Sequence, residues 1–276
     1  MAARALPVTV ENHWFQLAST LKTNRQKRSR EKMFFVEGVR SVNALRASPS
    51  WQVAALFYCP AKRLSGWARD VLDAFPSAQR LELSSALMEK LSDREEGSEV
   101  LALVRMPDVH AHDLVPARDG CVVVLDRPGN PGNLGSILRS CDAFGSQGVV
   151  VTGHAVDPWD PLVIRASAGA FFSQKVTRVD EHAAFETWLS ACSAACPGLR
   201  VVGTSARAAR TVDASDIRGP VVLLFGNETT GLSPWLKSRC QELVGMPMRG
   251  VATSLNLAAA VTAVLYERDR QRRNNA

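Results

Sequence analysis

The sequence predicts an α/β protein in two domains, the second carrying a doubly wound parallel sheet. Three observations predict it. Short apolar runs rich in Val and Leu, each stopped by turn residues, recur at Cys121 to Leu125, Gly148 to Gly153 and Val221 to Phe225. Helical stretches lie between them, and such alternation makes a parallel sheet covered on both faces. A polar segment containing Pro116, from Asp108 to Gly120, separates this series from an earlier and smaller one.

A chain of 276 residues can hold two ordinary domains, and its 46% hydrophobic and 22% charged residues are those of a soluble globular protein. No apolar run is long enough to span a bilayer, and the first residues, MAARALPVTVENHW, lack the apolar core of a signal peptide. The expectation is a cytoplasmic protein with no membrane partner. Six cysteines are scattered, and Cys192 and Cys196 have no second ligand pair at metal-binding spacing, so free thiols and no metal are expected. The net charge of +6 suggests an acidic partner, nucleic acid first.

The placement of that charge says more than its sum. LKTNRQKRSREK, residues 21–32, concentrates Lys22, Arg25, Lys27, Arg28 and Arg30. Cations at this density suit phosphate contacts, because each one releases counterions condensed on RNA. FFVEG then reads as a strand and RSVNALRA as a helix. WQVAALFYCP is a strand and GWARDVLDAF a helix, AQRLELSSALMEKLSD a strand and a helix, and EVLALVRMP a strand ended by Pro107. Residues 1–107 therefore form an α/β RNA-binding domain with a basic N-terminal segment, 108–120 a linker, and 121–276 the second domain. The first domain holds no catalytic constellation.

In the second domain the strand Cys121 to Leu125 leads into a turn-rich loop, Asp126 to Gly135, with Asn130 and Asn133. A helix carrying Arg139 follows. After GVVVTG, the stretch DPLVIRASAGAFF reads as a helix with Arg165. A strand near KVTRV, a helix around HAAFETWLSACSAA and a strand LRVVGTSA come next. The glycines of PGNPGNLGS stand three residues apart, so neither GxGxxG nor GxxxxGK[ST] is present, which disfavours dinucleotide and nucleotide-triphosphate binding. The strand Val221 to Phe225 ends in Gly226-Asn227-Glu228, and a second loop, from Met246 through Ser254, Leu255 and Asn256, opens an Ala-rich helix. Loops beyond the carboxyl ends of strands are where open α/β sheets bind small ligands. Ser254 is also a plain candidate for a helix cap.

Three stretches together resemble the motifs of the SpoU (TrmH) class of RNA 2′-O-ribose methyltransferases in the SPOUT superfamily. They are Asn130 to Ser140 with Asp142-Ala143-Phe144-Gly145; Leu224 to Glu228 through Gly231-Leu232-Ser233; and Met246-Pro247-Met248 with Ser254-Leu255-Asn256. FFVEGVRSV resembles the start of the ribosomal-protein-like RNA-binding domain that many members carry, and VIRASAGAFF resembles the helix between the first and second motifs. Thr229-Thr230 stands where Gly or Ala often occupies one position, and SLNLAAA where SLNVSVA is common, which argues for tighter packing and unaltered chemistry.

The resemblance implies a C-terminal trefoil knot, an exception to the rule that chains do not thread loops. It implies S-adenosylmethionine bound bent in that knot by Thr204, Ser205, Gly226, Asn227, Met246, Met248, Ser254 and Leu255, and a homodimer that completes the site. Arg139, Asn133, Glu228, Ser254 and Asn256 become the candidate catalytic residues. Arg139 is expected to orient the ribose and its phosphate, because the motifs offer no His and only Cys141 as a thiol. The RNA is expected to meet Lys22, Arg25, Lys27, Arg28, Arg30 and Arg165. Large-subunit ribosomal RNA is the expected substrate, and that group includes the self-resistance enzymes of antibiotic producers. A tRNA ribose, a base nitrogen, or an inactive RNA-binding platform of the same fold stay open on the residues alone.

Overall fold

The computed structural model describes residues 5–92 and 97–274. It divides into two compact units, one made of Met1–Asp108 with Asp157–Ser173, the other of Val109–Val156 with Gln174–Ala276.

The first unit runs β1 (Leu6–Val8), α1 (His13–Thr23), α2 (Arg25–Glu31), β2 (Met33–Glu37), α3 (Val39–Ala47), β3 (Val53–Tyr58), α4 (Gly66–Ala74), β4 (Gln79–Leu83), α5 (Ser85–Leu91) and β5 (Val100–Arg105). Its five strands lie in the order β1-β4-β3-β5-β2. β5 is antiparallel to both its neighbours, and β1, β4 and β3 are mutually parallel. Phe35, Phe57, Leu81 and Leu103 alternate onto one sheet face and pack with Phe15, Leu21, Met88 and Leu91 of the covering helices. The strands and helices from β2 to β5 follow the sequence reading. α1, α2 and β1 do not figure in it; Asn caps start both helices, Asn12 accepting from Phe15 N (3.0 Å) and Asn24 from Lys27 N (2.9 Å).

Two expectations need correction here. The basic run spans the end of α1 and all of α2, and Arg28 within it is a core residue, 2% exposed. Its Nε donates to Asp157 (2.7 Å), Nη1 to Leu21 O (2.7 Å) and Nη2 to Asp160 (3.3 Å), so it has no surface to offer RNA. The second correction concerns DPLVIRASAGAFF, which is not one helix of the second domain. It is α7 (Pro161–Ala166) followed by a single 3₁₀ turn, Ala170–Phe172, and it belongs to the first unit. Left-handed backbone at Ala168 (φ 52°) and Gly169 (φ 104°) keeps the two pieces apart. The attraction is aromatic: Phe34, Trp51, Trp159, Phe171 and Phe172 form one cluster with ring centroids 5.1–6.5 Å apart, and Trp51 Nε1 donates to Phe172 O (3.0 Å).

The second unit runs β6 (Cys121–Asp126), α6 (Pro131–Ala143), β7 (Gly148–Thr152), β8 (Val176–Arg178), α8 (His182–Ala195), β9 (Arg200–Thr204), β10 (Arg210–Thr211), β11 (Val221–Phe225), α9 (Pro234–Lys237), β12 (Glu242–Gly245) and α10 (Leu257–Arg273). Its seven strands, all parallel, lie in the order β10-β12-β9-β11-β6-β7-β8. The chain moves outward from β6 to β8, then crosses to the other side for β9, so the order reverses beside β6. That makes the carboxyl ends of β6, β9, β11 and β12 the natural ligand crevice. Val122, Val124, Val222 and Leu224 pack on Phe185, Trp188 and Leu189 of α8. Residues alternating with them face the opposite way, toward the side where α6 packs on α10. Residues 109–120 are not a free linker. Leu114 is buried, its carbonyl accepts from Trp188 Nε1 (3.2 Å), and Thr177 Oγ1 donates to Val109 O (2.9 Å). Apolar Leu114 anchors this strap on α8.

The described cysteines are all free, and burial pushes the Cys121 thiol up to about 11. Among the described residues no helix is long and apolar enough to cross a membrane.

Candidate active site

Three loops at the carboxyl edge of the second sheet line one cavity of about 960 Å³. They follow β9 (Thr204 to Ala208), β11 (Gly226 to Leu232) and β12 (Met246 to Leu255). The volume is that of a site for a nucleotide-sized ligand. Its walls mix apolar side chains (Leu232, Val244, Met246, Leu257) with hydroxyls, amides and the carboxylate of Glu228. Close packing shapes the middle loop: a Cβ on Gly226 would lie 2.0 Å from Leu232 N, so only glycine fits where the turn folds back on itself. Within that turn Asn227 Oδ1 accepts from Thr229 N (2.9 Å) and Thr230 N (3.2 Å), as an Asx turn does.

At one rim of this cavity the three motifs join through side chains. Asn130 caps α6 by accepting from Asn133 N (3.0 Å), with Pro131 at the first helical position. That leaves the Asn133 side chain free to bridge. Its Nδ2 donates to Glu228 Oε1 (2.9 Å), and its Oδ1 accepts from Asn256 Nδ2 (3.0 Å). Asn256 caps α10, its Oδ1 accepting from Ala258 N (2.9 Å) and Ala259 N (3.4 Å). The cap is therefore Asn256, not Ser254, which is exposed and lines the cavity.

Motifs one, two and three thus meet in a hydrogen-bonded chain, Glu228–Asn133–Asn256. Residues 120–266, which carry all three motifs, match the model of the SpoU rRNA Methylase family. This chain belongs to that family.

Its N-terminal part, residues 12–102, matches the SpoU L30e-like domain. A 23S rRNA (uridine(2479)-2′-O)-methyltransferase from Streptomyces viridochromogenes is 41% identical over 268 residues, covering 96% of this chain and 92% of that protein. The crystal structure of the SpoU methyltransferase AviRb from the same organism, in complex with the cofactor AdoMet, superposes with a TM-score of 0.86 at 39% identity, over 95% of this chain and 98% of that one. The AdoMet-bound rRNA methyltransferase of Sinorhizobium meliloti gives 0.85 at 28% identity, over 97% and 98%.

The SpoU reading of the residues can now be placed. Thr204, Ser205, Gly226, Asn227, Met246, Met248, Ser254 and Leu255 all line the one cavity. Asn133 and Asn256 stand at its rim, with Glu228 joining rim and wall. Arg139 is exposed on α6, about two turns beyond Asn133, and its guanidinium makes no hydrogen bond or ion pair to the described residues. It does not line the cavity. Of the basic residues in the first unit, Lys27 pairs with Glu31 (3.0 Å) and Arg30 is largely exposed. Arg25 is exposed as well, whereas Lys22 Nζ donates to Leu91 O (2.7 Å). Arg165 pairs with the buried carboxylate of Glu37 (3.5 Å), which ties α7 to the end of β2.

Asp126 and Arg127, which touch the Gly226–Ser233 turn, were not singled out by sequence. Nothing in LDRPGN distinguishes a buried contact from an ordinary turn. The Asn130-Pro131 cap, by contrast, was available as a helix-start signal.

Proposed function

We propose that this SpoU methyltransferase transfers a methyl group from S-adenosylmethionine to a ribose 2′-hydroxyl of 23S ribosomal RNA, at a uridine. The observation that carries the reading is the Glu228–Asn133–Asn256 chain at the rim of the three-loop cavity. Family membership, the relative acting on a 23S rRNA uridine, and the AdoMet-bound neighbours support it. Coverage of nearly the whole chain by these ribosomal RNA enzymes favours rRNA over tRNA.

The residues present fit the cofactor. The cavity is large enough, its apolar walls suit an adenine, and Glu228 supplies a negative charge near a cationic ligand. Thr204, Ser205, Gly226, Asn227, Met246, Met248, Ser254 and Leu255 would hold it, and it supplies a methyl group activated by a sulfonium. The protein's own share is placement and proton management. A ribose hydroxyl is a poor nucleophile, so it must be set in line and relieved of its proton. Asn133 is locked between Glu228 and Asn256, which removes its rotational freedom and fixes the rim of the loop. Arg139 has its guanidinium donors unspent. In this reading it binds the target ribose and adjacent phosphate and favours loss of the hydroxyl proton to solvent electrostatically.

The same reading includes a trefoil knot formed between β9 and α10, a homodimer and a cytoplasmic location. Exposed Met248, Val251, Leu255 and Tyr266 in the second unit are apolar surface of the kind a second copy would cover.

The test is transfer of tritiated methyl from S-adenosylmethionine to separated 23S rRNA, 16S rRNA and tRNA, followed by nucleoside analysis. Label in 2′-O-methyluridine from 23S rRNA is the expected result. Label only in tRNA would overturn the substrate, and label in a base would overturn the ribose assignment.

A further inference from the structure

Arg127 follows β6 directly and holds φ at 52°, a left-handed conformation that a side chain of its size rarely adopts. Such backbone persists only where its surroundings over-determine it. Here they do. Its N–H donates to Thr152 O at the end of β7 (3.0 Å), and its carbonyl accepts from Asn227 Nδ2 (2.8 Å). Its guanidinium forks onto Asp126, Nε to Oδ1 at 2.8 Å and Nη2 to Oδ2 at 3.0 Å. Nη2 also donates to Gly231 O (3.2 Å). The Asp126 carboxylate, 4% exposed, accepts in addition from Ser233 N (2.7 Å).

The turn from Asn227 to Ser233 is therefore held at three points. Arg127 takes Asn227 and Gly231, Asp126 takes Ser233, and Asn227 and Gly231 exchange backbone hydrogen bonds (3.2 and 2.9 Å). Between the held points stands Glu228, which reaches Asn133, and residues 226–232 are a wall of the cavity. Arg127 itself does not line the cavity.

We propose that Arg127 is a positioning residue for methyl transfer. With Asp126 it clasps the Asn227–Ser233 turn to the end of β6, so that the cofactor meets a formed wall and Glu228 stands at bonding distance from Asn133. A loop ordered before binding spares the complex the cost of ordering it. Fork geometry matters here, since guanidinium can serve a carboxylate and a carbonyl together whereas an ammonium cannot do so with the same planarity. The inference rests on the methyltransferase reading of the cavity.

The test measures the Kd and stoichiometry of S-adenosylhomocysteine by calorimetry, and single-turnover transfer to 23S rRNA, on the full chain. Wild-type protein that binds no S-adenosylhomocysteine defeats the methyltransferase reading, and the inference with it. Given wild-type binding, Arg127→Gln is expected to raise Kd about tenfold at unchanged stoichiometry, and to slow transfer at saturating cofactor by a similar factor. Arg127→Lys should recover part of both losses. Arg127→Gly relieves the backbone but lacks the clasp, and should bind as weakly as the Gln variant. A purely structural role would lower the melting temperature and the active fraction while leaving Kd alone. Binding within twofold of wild type by the Gln variant overturns the proposal. If that variant does not fold, the same result from Arg127→Gly overturns it.

Discussion

In the first unit the decisive polar side chains are buried and complete. Arg28 lies under the surface with Asp157, Asp160 and a backbone carbonyl taking its donors, and Glu37 is met by Arg165, Ser92 and Ser98. In the second unit the motif side chains at the cavity rim are at or near the surface and neutral for the most part. Asn133 and Asn256 bridge motifs from exposed or half-buried positions, and Arg139 has no partner among the described residues. A buried charge must be paired to exist at all, so its pairing says little about ligands. An exposed donor that the fold leaves unspent says much more. The density of charge in a sequence is thus a poorer guide to function than whether the fold leaves that charge unmatched.

The largest expected effect separates the two arginines. Arg139→Ala should lower methyl transfer by about 10³-fold, in the range general acid–base and electrostatic groups supply, with cofactor affinity and stability unchanged. Single-turnover kinetics and calorimetry on one preparation check this, and full transfer would remove Arg139 from the site. Arg28→Ala should do the reverse. Leaving Asp157 and Asp160 without their cation costs about 3–5 kcal/mol, read by denaturant unfolding, with RNA affinity of the folded protein unchanged. A loss of RNA affinity with stability intact would return Arg28 to the surface reading. Lys27→Ala and Arg30→Ala sharpen the contrast within one helix. Each should weaken RNA binding modestly and reduce the salt slope by about 1, whatever the RNA sequence.

The smallest effect lies in alkaline solution. Burial first, and then the hydrogen bond from Tyr58 to Glu82 (2.9 Å), push the Tyr58 phenol up to about 12. The folded state then holds this proton more tightly than the unfolded chain. The stability it contributes is complete below pH 10 and is lost as pH rises from about 10 to 12. With only two tyrosines in the chain, phenolate absorbance resolves it, and Tyr58→Phe should remove the late titration. Ionisation of Tyr58 near pH 10 would contradict the buried pairing.

The fold was legible where periodicity is strong. The apolar runs of β6, β7, β9 and β11 announced a parallel sheet, and the alternating strands and helices from β2 to β5 announced a smaller α/β unit, whose sheet is mixed because β5 runs antiparallel to both neighbours. β10, only two residues long, left no pattern to read. DPLVIRASAGAFF lies with the first unit, against its sequence pattern, for a physical reason: its aromatics pack with Phe34 and Trp51 more than a hundred positions earlier, and no local signal encodes that. At the site the cofactor candidates line one cavity with Asn133 and Asn256 at its rim, whereas Arg139 stands outside its lining. What remained hidden was second-order contact. Arg127 and Asp126 act through distances of about a hundred residues, and Asn256 took the cap that Ser254 could equally have filled.

The most direct test of the contrast is Asn133→Ala, which removes the central link of the Glu228–Asn133–Asn256 chain without touching a charge. Single-turnover methyl transfer to 23S rRNA should fall by about 10²-fold, with S-adenosylmethionine affinity within a few-fold of wild type and the melting temperature nearly unchanged. Transfer at the wild-type rate would show that the chain merely staples loops together, and would contradict the assignment of catalysis to this rim.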